Sequence, residues 1–146
     1  MRKLAVLLFP LLLFISGCPS SEKSMLTVAK DAAQTNLSFE RGVTTVHKDN
    51  PEYCDDNCER TLLVASRKIA QLDDAAVNAI VKTHDAAGAI AKIDEAIAAV
   101  DDANTNGLLA VKNEGRKNAL SAILLSLRGA LVTAKAFLAP QVQVTP

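Results

Sequence analysis

The chain reads as an all-α protein, an antiparallel bundle of three to four helices, either compact or elongated around one long kinked helix. Three observations carry that reading. Apolar residues recur at intervals of three and four along most of the sequence, the period of a helix face and not of a strand. Aromatic residues make up only 3% of the 146 residues, with no Trp and one Tyr, while small Ala side chains abound, as in helices that pack closely. Turn-forming clusters are concentrated in two short stretches, 48–51 and 101–107, so the elements between them are long.

The first helix is predicted over 24–47, where Met25, Ala29, Ala32, Asn36, Phe39, Val43 and Val46 fall on one stripe. Asn36 is its polar member. Partial exposure at the edge of the stripe is the simpler expectation, whereas full burial would make it a register-fixing residue. Gly42 weakens the last turns. A second helix is predicted to start at the next turn, with Asn50 as N-cap and Pro51 as the first helical residue. Glu52, Asp55 and Asp56 then complement the helix dipole.

From there Leu62, Ala65, Ile69, Leu72, Ala76, Ala79, Thr83, Ala86, Ile90, Ile93, Ile97 and Val100 keep an unbroken three-four spacing. One helix from Pro51 to Ala103 would run ~80 Å, far beyond what either neighbour could cover. Two interruptions are candidates. Asp73 could cap a fresh helix, with Leu72 and Val77 as its hydrophobic staple, and the stretch 84–88 is a weaker break. Asp101 to Gly107 is a turn by composition.

The last helix is predicted from about Leu108 to Leu138, with a seam at Leu120, Leu124, Leu127, Leu131, Ala134 and Leu138. Beside it Gly115, Ala122, Gly129 and Ala136 set a small residue at every seventh position, an interface row that would let another helix come close. Only Arg128 and Lys135 are charged between Ala119 and Ala139. A helix apolar nearly all round is either central in its bundle or held against a partner, including a second copy. Membrane insertion is disfavoured by those two charges and the small polar residues. Pro140 is expected to end the helix and leave 140–146 as a flexible tail.

The N-terminus is read separately. Arg2 and Lys3 precede an apolar run of about 12 residues, which fits a signal-peptide core and falls short of a spanning helix. It ends in Ile15, Ser16, Gly17 and Cys18. That stretch resembles the lipobox of bacterial lipoproteins, with Ile15 where leucine is commonest. The resemblance implies that residues 1–17 are removed and that Cys18, carrying a covalent lipid, becomes the first residue. Residues 18–23 would then be a short lipid-anchored tether and 24–139 the bundle domain. Pro19, where aspartate would signal inner-membrane retention, implies the periplasmic face of the outer membrane. The resemblance covers only these first residues and attaches no activity to the mature domain.

Little else points to chemistry. Sixteen Lys and Arg balance sixteen Asp and Glu, so no basic face is available for nucleic acid. Cys54 and Cys58, four residues apart, are expected to form a disulfide in an exported protein. The alternative is a metal site in which His47, Cys54 and Cys58 supply three ligands, though the spacing matches no common zinc motif. The acids at 49, 52, 55, 56 and 59 lack the regular spacing and glycine of a calcium loop. His84 is expected to be structural or exposed. No nucleophile motif, P-loop or metalloprotease signature occurs, so a small hydrolase is disfavoured and no cofactor beyond the lipid is expected. The sequence therefore favours a lipid-anchored envelope protein, a binding or structural module acting through helix-mediated protein contacts. A metal- or redox-responsive lipoprotein is the rival reading.

Overall fold

The structure, a computed structural model, describes residues 21–142. These form four α-helices and one 3-10 turn, with no strand among them: α1 (Ser21–Asp49), α2 (Asp56–Thr83), α3 (Ala86–Thr105), the 3-10 turn Gly107–Ala110, and α4 (Glu114–Val142). Each helix packs on its neighbours in the chain, and α4 closes the ring against α1, with α1 and α3, and α2 and α4, on the diagonals. All neighbours run antiparallel. Lys135 with Asp94, Arg128 with Asp101 and Ser121 with Asn104 pair α4 to α3 in opposite order. The start of α4 meets the end of α1 through Arg116 and Asp49, 2.9 Å apart, and its end meets the start of α1 where Gln141 hydrogen-bonds Ser21.

The predicted stripes of α1 and α4 are the buried ones. All seven α1 positions from Met25 to Val46 and all six α4 positions from Leu120 to Leu138 are inside. Asn36 is 4% exposed and fully part of the core, not at its edge. It is tolerated because Nδ2 donates to the Ser66 carbonyl at 3.0 Å and Oδ1 accepts from Ser66 Oγ at 3.0 Å. The seam of α2 departs from the predicted one. Leu62, Ile69 and Ala76 are buried as expected, but Ser66, Asp73 and Ile80 occupy the places expected for Ala65, Leu72 and Ala79. Apolar periodicity could not select a row that contains a hydroxyl and a carboxyl.

Several boundaries are corrected. α1 already includes Ser21, Glu22 and Lys23, which were expected in the tether, and residues 18–20 lie outside the described residues. The second helix does not start at Pro51. Asn50 Oδ1 accepts from Glu52 N at 2.9 Å and its carbonyl from Tyr53 N at 2.9 Å, so Asn-Pro builds a turn, the other structure these residues favour. The N-cap is Asp55, whose Oδ1 accepts from Cys58 N at 2.9 Å. Asp73 caps nothing and lies in mid-helix.

The long apolar stripe breaks at the weaker of its two candidates. His84 adopts a left-handed conformation, φ 50°, and Asp85 N donates to Ala79 O, closing the C-terminus of α2. Asp85 is at the same time the N-cap of α3, accepting from Gly88 N at 2.8 Å. A Cβ on Gly88 would stand 2.2 Å from Asp85 Oδ2, so glycine lets the cap fold in. Two helices thus turn back on each other across two residues.

α3 continues through Asp101, Asp102 and Ala103 to Thr105. The acids that suggested a turn face outward while Val100 and Ala103 keep the buried spacing. At 20 residues α3 is the shortest helix, and the 3-10 turn fills the remaining corner by burying Leu108 and, just after it, Val111. α4 begins at Glu114, later than expected, after Asn113 Oδ1 accepts from Arg116 N. It also runs through Pro140 to Val142. The missing proline N–H costs one backbone bond in an exposed last turn. The rest of the expected tail, 143–146, lies outside the described residues.

Candidate functional site

α4 uses its leucine seam for the core, which leaves its opposite side outward. Ala122, Leu125, Gly129, Val132, Ala136 and Ala139 repeat at three-four spacing along that side and are all exposed, Leu125 at 56% and Val132 at 43%. Arg128 and Lys135 do not interrupt it. Both lean to one flank, where Arg128 Nε donates to Asp101 Oδ1 at 2.8 Å and Lys135 Nζ to Asp94 Oδ1 at 2.7 Å on α3. Thr133 spends its hydroxyl on the Gly129 carbonyl, 2.9 Å away in its own helix. The result is an uncharged outer strip along most of a helix that spans ~43 Å.

On the α1 side this strip falls into a shallow groove of about 560 Å³ bounded by Asp31, Gln34, Thr35 and Ser38 with Ala122 and Ser126, so its one charged edge is Asp31. Thr35 and Ser38 also return their hydroxyls to backbone carbonyls one turn back, at 2.8 and 3.1 Å. Few free donors therefore line it. By length and composition α4 could cross a membrane, its apolar window having a mean hydropathy of 1.6, of which 28% is buried in the bundle. Its inner seam is already occupied by α1 and α3.

The row Gly115, Ala122, Gly129 and Ala136 lies wholly on this exposed side. No other described helix of this chain covers it, and a Cβ on Gly129 would meet nothing within 4 Å. The close approach occurs at Gly42, where a Cβ would come to 2.9 Å from Leu120 Cδ2. Sequence reasoning missed Leu125 and Val132. Their signal was the seven-residue step that carries them alongside Gly129 and Ala136.

Cys54 and Cys58 form a disulfide with a Cα separation of 5.2 Å, both side chains buried. It links the residue before the Asp55 cap to the first turn of α2 and so staples the helix start. In this disulfide neither sulfur has a thiolate to offer to a metal, so the alternative ligand set of His47, Cys54 and Cys58 is not assembled in this form. His47 does sit beside them. Its Nδ1 donates to the Cys54 carbonyl at 2.9 Å, and Nε2 lies 3.6 Å from both Asp56 and Glu59. Among the described residues no group of three or more His, Cys, Asp or Glu is arranged to hold a metal ion. His84 is exposed, with Nδ1 3.4 Å from Glu22. Cys18 lies outside the described residues.

A second groove, about 710 Å³, runs between α2 and α3 over Ala65, Ala99 and Ala103, with Lys68, Glu95 and Asp102 on its rim. No His, Cys or Ser lines it. Compared with known protein families, with curated proteins and with solved structures, the chain matches none. The class is therefore set by the architecture itself, an up-down-up-down four-helix bundle with one unpartnered apolar face.

Proposed function

We propose that this protein is a lipid-anchored envelope module of binding or structural role, not an enzyme, that engages a protein helix through the outer strip of α4. The uncharged strip carries the reading. A contiguous apolar surface flanked by polar residues is what a helix-mediated contact uses. The small residues at 122, 129 and 136 would let a partner backbone come near, with Leu125 and Val132 as the bulkier anchors. The lipobox-like stretch ending at Cys18 supports the anchor and, with Pro19 behind it, the periplasmic face of an outer membrane. α1 begins at Ser21, so a lipidated Cys18 would hold the bundle close to the bilayer. A partner and a second copy of this chain are both compatible with the strip.

The test joins Leu125→Glu with Val132→Glu. Both side chains are exposed, so the bundle should keep its melting temperature while the complex, followed by cross-linking in the native envelope, is lost. Retention of the complex would reject the strip. Separately, Cys18→Ser should release the protein from the membrane fraction, and a cleaved product that stays membrane-bound would reject the anchor.

A further inference from the structure

The described arginines divide by helix. Those of α4 are both in ion pairs, Arg116 with Asp49 at 2.9 Å and Arg128 with Asp101 at 2.8 Å. Those of α1 and α2, Arg41, Arg60 and Arg67, have neither an ion-pair nor a hydrogen-bond partner for their side chains among the described residues. Arg41 and Arg67 line one groove of about 460 Å³ between α1 and α2, together with Lys48, which is likewise unpaired. Thr44 and Thr45 complete its α1 wall, and Leu63 stands on the α2 side. Neither threonine returns its hydroxyl to a backbone carbonyl one turn back, as Thr27, Thr35, Thr83 and Thr133 do elsewhere.

We propose that this α1–α2 groove binds a small polyanion, a ligand carrying two or more phosphate or carboxylate groups, through Arg41, Lys48 and Arg67. Arg41 and Lys48 are seven residues apart on one face of α1, so their stems leave the helix about 10.5 Å from each other. That spread suits a ligand with separated charges better than a single ion. The guanidinium forks offer paired N–H donors to oxyanions, and the two uncommitted hydroxyls can donate beside them. The volume is that of a small-molecule site, while three cations are few for a nucleic-acid backbone.

Ordinary structural roles do not account for the set. Lys48 lies in the last turn of α1, where a cation complements the helix dipole, but Arg41 and Arg67 sit well inside their helices. The one acid on the groove, Glu40, has an oxygen engaged by Ser66 Oγ at 2.9 Å and pairs with none of the three cations. Positive charge is therefore in excess there, although it balances over the whole chain. Beyond Leu63 a neighbouring groove carries Asp56 and Glu59 along with Arg60, and the excess ends at that boundary. With no anion present the three cations repel one another, so a bound polyanion should also stabilise the fold.

Isothermal titration of the purified full chain at low ionic strength tests this, with tripolyphosphate, citrate and, as a singly charged control, acetate. Tripolyphosphate, citrate or both should bind one to one, acetate should not, and added salt should weaken the binding. Binding of tripolyphosphate only would assign phosphate groups to the ligand, of citrate only carboxylates, and of both a site that reads charge without discriminating. Joint replacement Arg41→Gln and Arg67→Gln should weaken binding about tenfold or more. Joint replacement Lys82→Gln and Lys112→Gln, at exposed cations outside the groove, should leave it unchanged. Absence of binding by both polyanions, or equal loss in the two variants, would overturn the proposal. Where the arginine variant does not fold, amide shifts of the unaltered protein decide: changes confined to residues 40–48 and 63–67 support the groove, and changes scattered over the surface reject it.

Discussion

Asn36 and Ser66, thirty residues apart, hold each other at two points: the amide donates to the Ser66 backbone and accepts from the Ser66 hydroxyl, both at 3.0 Å. The pair sits within the α1–α2 seam and admits one axial setting of the two helices. Asn36→Ala should lower unfolding free energy by about 1–3 kcal/mol, because a buried carbonyl and hydroxyl lose their partner. Adding Ser66→Ala should cost less than the two single losses together. Denaturant unfolding of the four proteins of this cycle measures the coupling, and strict additivity would show that the residues act independently.

The left-handed residue between α2 and α3 is a histidine where glycine is the usual occupant. His84→Gly should raise stability by about 0.5–1 kcal/mol, read from the shift in denaturation midpoint. The exposed contact with Glu22, 3.4 Å, is a surface pair of small weight. A destabilised variant would mean that this contact outweighs the backbone strain.

The disulfide closes a very short loop. Replacing Cys54 and Cys58 together with Ala should cost about 2 kcal/mol on the chain-entropy relation. The loss should be localised: amide exchange in the first turns of α2 should quicken, while the Leu124 region of α4 keeps its protection. Uniform loss of protection would show that the staple supports the whole bundle.

Two glycines should respond differently to added side chains. Gly129→Ala should stabilise by about 0.5–1 kcal/mol, since the position is open and alanine favours the helix. Gly42→Ala should gain less, because the methyl group meets Leu120 and the leucine end must turn aside. Gly42→Leu should cost about 1–3 kcal/mol by overpacking the α1–α4 contact. Thermal melts of the three variants rank them, and equal melting temperatures would contradict the packing at Gly42.

The central strut of the core offers a direct check on its packing. Phe39 is wholly buried, and Phe39→Ala should cost about 3–5 kcal/mol. A smaller loss would mean that neighbouring side chains collapse into the space.

The sequence was readable where one face of a helix is plainly apolar. α1 and α4 bury the side chains that spacing selects, Met25 to Val46 on α1 and the leucine seam from Leu120 to Leu138 on α4. It was misread where polar groups enter the core. Ser66 and Asp73 belong to the buried seam of α2, yet a search for apolar residues passes over them to Ala65 and Leu72. On α4 the difficulty was reversed. A helix apolar on every side gives no contrast between inside and outside, so spacing alone left the small row open to a contact inside the bundle or outside it, and the row lies on the outer side. The start of α2 was placed at Asn50 and Pro51, which instead build a turn, while Asp55, read only as an acid complementing the helix dipole, is the residue that caps it.

The two ends of the bundle are fastened unequally. At one, Lys112 N donates to the Tyr53 carbonyl at 2.9 Å, tying the α1–α2 connection to the α3–α4 connection beside the disulfide. At the other, among the described residues, side-chain contacts such as Gln141 with Ser21 and His84 with Glu22 join the helices. A tensile force entering at Ser21 therefore meets the weakly latched end first. It would peel α1 away turn by turn, like a zipper, without having to slide whole helices past one another, so mechanical strength should fall well short of what the melting temperature suggests.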